Sequence, residues 1–287
     1  MTAQLLAGRR VLLVHAHPDD ETINNGATMA MYADLGAQVT LVVCTRGEEG
    51  EVLVPGLSHL ASSADDSLGA HREIELAAAM KVLGVSDYRF LGNGRIKYRD
   101  SGMMGSEQNG RPDVFWQADL DSAAQLLVEI IHEIRPHILI TYDENGGYGH
   151  PDHIQAHRVA MRAAELAINW KIEKIYWNGI PKSVISKLIE DLKAVGSSFF
   201  GAETADDLPF VKEDSFITAV VDGDAYVDQK MAAMKAHETQ IAWDGPFFAH
   251  STHRMWGHEY YTLVRGTPSP PFDAVGRETD LFAGITP

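Results

Sequence analysis

Two short stretches of this 287-residue chain hold residue types able to bind a metal and move a proton. One is His17-Pro18-Asp19-Asp20; the other is His150-Pro151-Asp152-His153. The first directly follows the apolar run Val11 to His15. The second follows another, His137 to Tyr142, after a glycine-rich connector. Imidazoles and carboxylates at the carboxyl ends of buried strands are where open α/β sheets collect their chemistry. Pro-Asp-Asp alone could do no more than turn the chain and cap a helix. One aspartate suffices for that, and two beside a histidine exceed it.

Taken together, the stretches suit metal-assisted hydrolysis of a carbonyl derivative. A catalytic zinc takes three protein ligands, nitrogen or oxygen, and keeps one position for water. His17, Asp20 and His153 supply such a set without cysteine, although spacing alone lets Asp19 and Asp20 exchange places. The carboxylate left over, Asp19, is free to act as general base. Zn2+ is the expected ion, and Fe2+ also accepts two imidazoles and a carboxylate. Tyr148 and His150 sit on a connector with glycines at 146, 147 and 149, which let backbone approach a ligand closely. Both are candidate donors to an oxyanion or leaving group. His157 shares a helical face with His153 but is read as an ordinary packed histidine. There is no Gly-x-Ser-x-Gly elbow, no Gly-x-Gly-x-x-Gly after the first strand, and no Gly-Lys-Ser/Thr.

The elements that must position these residues alternate. Strand patterns fall at 10–15, 39–45, 88–91, 137–142 and 174–177. Helix patterns fall at 22–35, 66–83, 119–134 and 152–167. This order predicts an α/β fold, a Rossmann-like, largely parallel sheet with helices on both faces. The loops 46–65 and 92–113 are too long for simple connectors. Both follow strands, so both should overhang the sheet edge that carries the two clusters. Residues 1–180 are expected to form the hydrolase core. Residues 181–287 read as a C-terminal appended region that walls the site, continuous with the core: a helix at 181–194, a strand at 215–221, a helix at 224–237 and a mixed tail.

Composition narrows the class. A 45% apolar share suits a globular protein. Twenty-four basic against 40 acidic residues, a net charge of −16, argue against a nucleic-acid partner. Cys44 is the only cysteine, which fits a reducing compartment. No run approaches the roughly 18 apolar residues of a membrane span, and Met1 to Arg10 lacks a signal-peptide core. The expectation is a cytoplasmic enzyme with a small-molecule substrate, neither nucleic acid nor membrane as partner, and an oligomeric state that sequence does not specify.

Ala16-His17-Pro18-Asp19-Asp20 paired with Gly149-His150-Pro151-Asp152-His153 resembles the zinc-dependent N-acetylglucosaminyl deacetylases, the PIG-L or LmbE-like family. The likeness covers nearly the whole chain. Gly47-Glu48-Glu49-Gly50-Glu51, Arg99-Asp100-Ser101-Gly102-Met103, Asn145-Gly146-Gly147-Tyr148-Gly149 and Glu278 to Gly284 are similar to the mycothiol-pathway members, which deacetylate an N-acetyl-glucosaminyl-inositol. The resemblance implies His17, Asp20 and His153 as metal ligands and Asp19 as base. It implies His150 as acid or electrostatic stabiliser oriented by Asp152, and Tyr148 as a mobile oxyanion donor. It further implies Arg72, Asp100 and Glu51 as contacts to an aminosugar-inositol substrate. The residues themselves allow plainer roles for these three: an exposed helix ion pair, a turn residue and part of a solvated acidic run. The rivals are a mycothiol S-conjugate amidase, a deacetylase of another aminosugar, and a non-catalytic sugar-binding or metal-sensing module.

Overall fold

Successive residues of the first strand go to opposite sides of a sheet. Val11 and Leu13 join one buried cluster, Leu12 and Val14 the other. The strand is therefore apolar throughout, the mark of a sheet covered on both faces. Each such side chain, fully buried, contributes about 1.5–3 kcal/mol. The computed structural model describes residues 5–242 and 256–286.

The element order is β1 (Arg10–His15), α1 (Asp20–Asp34), β2 (Gln38–Val43), α2 (Leu68–Leu83), β3 (Asp87–Phe90), α3 (Leu120–Ile134), β4 (Ile138–Thr141), the one-turn α4 (Gly146–Gly149), α5 (Pro151–Leu166), β5 (Lys174–Pro181), α6 (Lys182–Ala194), β6 (Val211–Lys212), β7 (Ala219–Asp222), α7 (Val227–Ala236) and β8 (His258–Arg265). The sheet runs β3-β2-β1-β4-β5-β8-β7, with β6 paired to β5. The first five strands are parallel; β8 is antiparallel to β5, and β7 to β8. From β1 the chain builds outward through β2 and β3, then returns to place β4 on β1's other side. That reversal opens a crevice at the carboxyl ends of β1 and β4, where both clusters lie.

Local chemistry sets several boundaries. Gly84 ends α2 in a left-handed conformation at φ 73°. Asp119 caps α3 by accepting from the Ser122 amide. Pro151 opens α5, and its N-cap is His150, whose ring nitrogen accepts from the Asp152 amide.

The part after residue 181 adds β7 and β8 to the same sheet, and Ala219, Val221, Ala233 and Tyr261 to the same core as β1. The strand expected at 215–221 is a 3-10 turn at Asp214–Phe216 followed by β7. Strand β8 falls in the stretch expected as a mixed tail. Its inward positions include Glu259, 3% exposed, which pairs with Lys230 at 2.7 Å and accepts the amides of Ala27 and Thr28. A charge facing inward hid the alternation by which a strand is read. Among the described residues no helix is long and apolar enough to cross a membrane.

Candidate metal centre and its surroundings

Three ligand atoms converge in the crevice. His17 Nδ1 lies 3.4 Å from Asp20 Oδ2, His153 Nε2 lies 3.5 Å from the same oxygen, and the two nitrogens are 3.3 Å apart. Tetrahedral bonds of about 2.0–2.1 Å would place ligand atoms roughly 3.3–3.4 Å from one another. The triangle thus has the size a zinc-like ion requires.

The outer nitrogens settle which ring atoms are free. His17 Nε2 faces Asp152 Oδ2 at 3.3 Å and Asp100 Oδ1 at 3.6 Å. His153 Nδ1 faces the Gly146 carbonyl at 3.1 Å. Carboxylates and carbonyls only accept, so these nitrogens carry the protons and the inner ones present lone pairs. Two lone pairs and a carboxylate oxygen pointing at one another are poorly matched without a cation. The residues therefore fit a divalent metal. Without one a proton takes its place: burial works against charge on His17, but Asp100, with Asp152 and Asp20, then holds its pKa well above the usual value. Burial would raise Asp20, yet His153 and His17 hold it well below the carboxylate range.

A third imidazole, His150, brings a ring nitrogen within 4.8 Å of a ring nitrogen of each of the other two. Its Nδ1 accepts from the Asp152 amide at 3.1 Å. Burial, then the charges of His17 and His153, push its pKa down to about 3. It is therefore a neutral ring with an Nε2–H donor and no inner lone pair, which sets it apart from the triangle. Asp20 Oδ2, by contrast, is anchored by the Tyr142 hydroxyl at 2.7 Å and the His17 amide at 2.9 Å.

Asp19 is not part of the triangle. Its carboxylate meets Arg72 Nη2 at 3.3 Å, and its amide donates to Glu21 Oε2 at 2.9 Å. Burial raises its pKa to about 6, against the pull of Arg72. Its φ of 121° is one that non-glycine residues rarely adopt. Tyr148 is 43% exposed, its ring 5.0 Å from His153 and 6.2 Å from His150. It rides on α4, where Gly146, Gly147 and Gly149 all take positive φ.

Some placements differ from expectation. The Asp152 carboxylate orients His17, not His150, and is itself held by the amide and hydroxyl of Ser101. Asp100 is 3% exposed and sits behind His17, taking the Gly102 amide at 2.8 Å and the Glu49 amide at 3.3 Å. Its carboxylate thus already takes two backbone amides and faces His17. Arg72 is also 3% exposed, so it is no surface ion pair: it donates to the carbonyls of Gly47 and Pro18 as well as to Asp19. The Glu51 side chain is exposed, and its carbonyl accepts from Gln240 at 3.1 Å. His157 donates through Nδ1 to the Tyr142 carbonyl at 2.9 Å, 5.0 Å ring to ring from Trp177, away from the triangle. The two long loops are tied by Arg99, which binds Glu49 and Asp66, each at 2.7 Å.

Tyr142, Ser101 and Glu21 escaped the sequence reading. Tyr142 ends the β4 run and looks like core. Ser101 is one small polar residue in a glycine-rich loop. Glu21 looks like a third acid in a helix's first turn. Only their partners, 51 to 216 residues away, reveal them.

Residues 12–164 match the family model described as PIG-L, GlcNAc-PI de-N-acetylase. A protein of Streptomyces avermitilis named 1D-myo-inositol 2-acetamido-2-deoxy-alpha-D-glucopyranoside deacetylase is 55% identical, over 98% of this chain and 99% of its own. One of the same name from Acidothermus cellulolyticus is 56% identical, over 96% and 95%. Among solved structures, the N,N'-diacetylchitobiose deacetylase of Pyrococcus horikoshii is similar in fold, with a TM-score of 0.54 at 20% identity, over 90% of this chain and 84% of that one.

Proposed function

The chain belongs to the PIG-L de-N-acetylase family, and from that premise we propose that it hydrolyses the acetamide of 1D-myo-inositol 2-acetamido-2-deoxy-α-D-glucopyranoside, releasing acetate and glucosaminyl-inositol in mycothiol biosynthesis. The observation that carries this reading is identity of 55–56% along essentially the whole of relatives bearing that activity's name.

His17, Asp20 and His153 would hold the metal, with zinc the ion best suited to two imidazoles and a carboxylate. A bound zinc supplies Lewis acidity toward a carbonyl oxygen and makes water more acidic. Asp19, with its pKa lifted to about 6, accepts a proton from attacking water and returns it to the departing amine nitrogen. The neutral His150 Nε2–H and the Tyr148 hydroxyl donate to the carbonyl oxygen as it gains charge. Arg72 keeps the Asp19 carboxylate in place, and Glu51, on the exposed loop, is available to substrate hydroxyls. The substrate is a small soluble molecule, and the buried thiol of Cys44 suits a cytoplasmic location.

The test compares acetate release from this substrate with cleavage of a bimane conjugate of mycothiol. A higher kcat/KM on the conjugate would assign the chain as an amidase instead. Activity that is lost on chelation and restored by zinc separates an enzyme from a metal-holding binding module.

A further inference from the structure

The turn that follows α7 grips both groups that hold Asp19. His237 is fully buried, and its Nε2 donates to Glu21 Oε1 at 2.8 Å. Glu21 is equally buried, and its second oxygen, Oε2, accepts the Asp19 amide at 2.9 Å. Two residues on, Thr239 donates its amide to Glu75 Oε1 at 2.8 Å and its hydroxyl to Glu75 Oε2 at 2.9 Å. Glu75 lies one turn of α2 from Arg72, on the same side of the helix. Arg72 in turn meets the Asp19 carboxylate and donates to the carbonyl of Pro18, the residue before it. One strut reaches the backbone of Asp19 and the other the helix that supplies its charge partner.

Asp19 needs such restraint. At φ 121° and ψ −35° it is outside the regions that L-residues occupy freely. A backbone of that kind persists only where its surroundings over-determine it. Without Glu21, the Asp19 amide would lose its partner at the entrance to α1. Without His237, Glu21 would be a buried carboxylate lacking its nearest cationic or donor group, and would turn away.

We propose that His237 is a positioning residue for hydrolysis: acting through Glu21, it fixes the strained backbone of Asp19, while Thr239 steadies the helix carrying Arg72. The proposal rests on the reading of Asp19 as general base. It assigns a catalytic duty to the C-terminal part of the chain, which contributes none of the metal ligands. Groups held within a fraction of an ångström of productive geometry lose rate quickly when loosened.

The experiment is a double-mutant cycle on the metal-loaded full chain, with kcat, KM, bound metal and Tm measured for each variant. His237→Leu should lower kcat about 10–100-fold, with KM and metal content near wild type. His237→Gln, which keeps an N–H donor at the Nε2 position, should recover most of that loss. In an Asp19→Ala background, His237→Leu should cost little more, because residues acting through one group are not additive. A crystal structure of His237→Leu should show Asp19 relaxed from φ 121°. An unchanged kcat in His237→Leu, or a loss that adds in full to that of Asp19→Ala, overturns the proposal. If Asp19→Ala itself keeps wild-type kcat, the reading of the base has failed instead. Should His237→Leu be insoluble, Glu21→Gln carries the test, since its amide sets an N–H against one of two N–H donors. Equal rates for Glu21→Gln and wild type would then overturn it.

Discussion

The hydroxyl of Tyr142 donates to Oδ2 of Asp20 at 2.7 Å, and the same hydroxyl accepts the amide of Ala16 at 2.9 Å. Its ring also stacks on His153 at 4.4 Å. One tyrosine at the end of β4 thus joins the loop after β1 to a carboxylate and an imidazole of the triangle. Tyr142→Phe should weaken metal binding about 10–100-fold, the usual effect of losing an outer partner of a ligand. The orphaned Ala16 amide should cost a further 1–3 kcal/mol or so of stability. Chelator competition and urea unfolding of the apo protein measure the two effects separately.

The two aspartates at the start of α1 should separate cleanly by substitution. Asp19→Ala should cut kcat by roughly 10²–10⁴-fold with metal content unchanged, since its carboxylate meets Arg72 and not the triangle. Asp20→Ala should lose the metal. Elemental analysis beside steady-state kinetics checks both, and a metal-free Asp19→Ala protein would reverse the assignment.

Metal removal should lower stability as well as activity. The triangle links the loop after β1, the first turn of α1 and α5, so a ligand that binds only the folded state stabilises it by mass action. The apo protein should melt earlier in calorimetry. Its Tm should rise with added zinc in a concentration-dependent way.

Gly146→Ala should damage the centre without replacing a ligand. Gly146 sits at φ 60°, and a Cβ there would come within 2.5 Å of the His153 Cβ and 2.7 Å of the Ile154 amide. The Gly146 carbonyl is also what orients His153. Backbone strain alone is worth about 1–3 kcal/mol, and the clash adds to it. Lower Tm together with weaker metal binding is the expected result.

At the opposite end of the sheet, His137 should make stability depend on acid. Burial, reinforced by Arg10 and Arg9, pushes its pKa down to about 4, while an unfolded histidine titrates near 6.5. Between those values the unfolded chain binds a proton that the folded chain refuses. Stability from this source is present above about pH 6.5 and is lost as pH falls toward 4. His137→Asn, whose side-chain oxygen can still accept the Arg10 amide, should flatten the fall in Tm between pH 7 and 4.5. An unchanged slope would remove His137 as its cause.

The parallel half of the fold was legible because its forces are local. Buried strands must be apolar on both faces, and β1, β2 and β4 are. Glycine must follow a helix such as α2. Two ligand-bearing stretches after such strands must then meet at one edge. The antiparallel half was not legible for the opposite reason. Strand β8 turns Glu259 inward, and that charge is tolerable only because Lys230 and two amides of α1 meet it there.

By itself the sequence determined the residue types of the centre, their places after two strands, and the presence of one carboxylate more than a metal needs. Tertiary structure decided the pairings. It set Asp152 and Asp100 behind His17, turned Arg72 inward onto Asp19, and brought His237 to Glu21 across 216 residues. Spacing along a chain states which groups share a turn or a strand end. The partner of a buried charge depends on which elements the core brings together, and no local pattern encodes that.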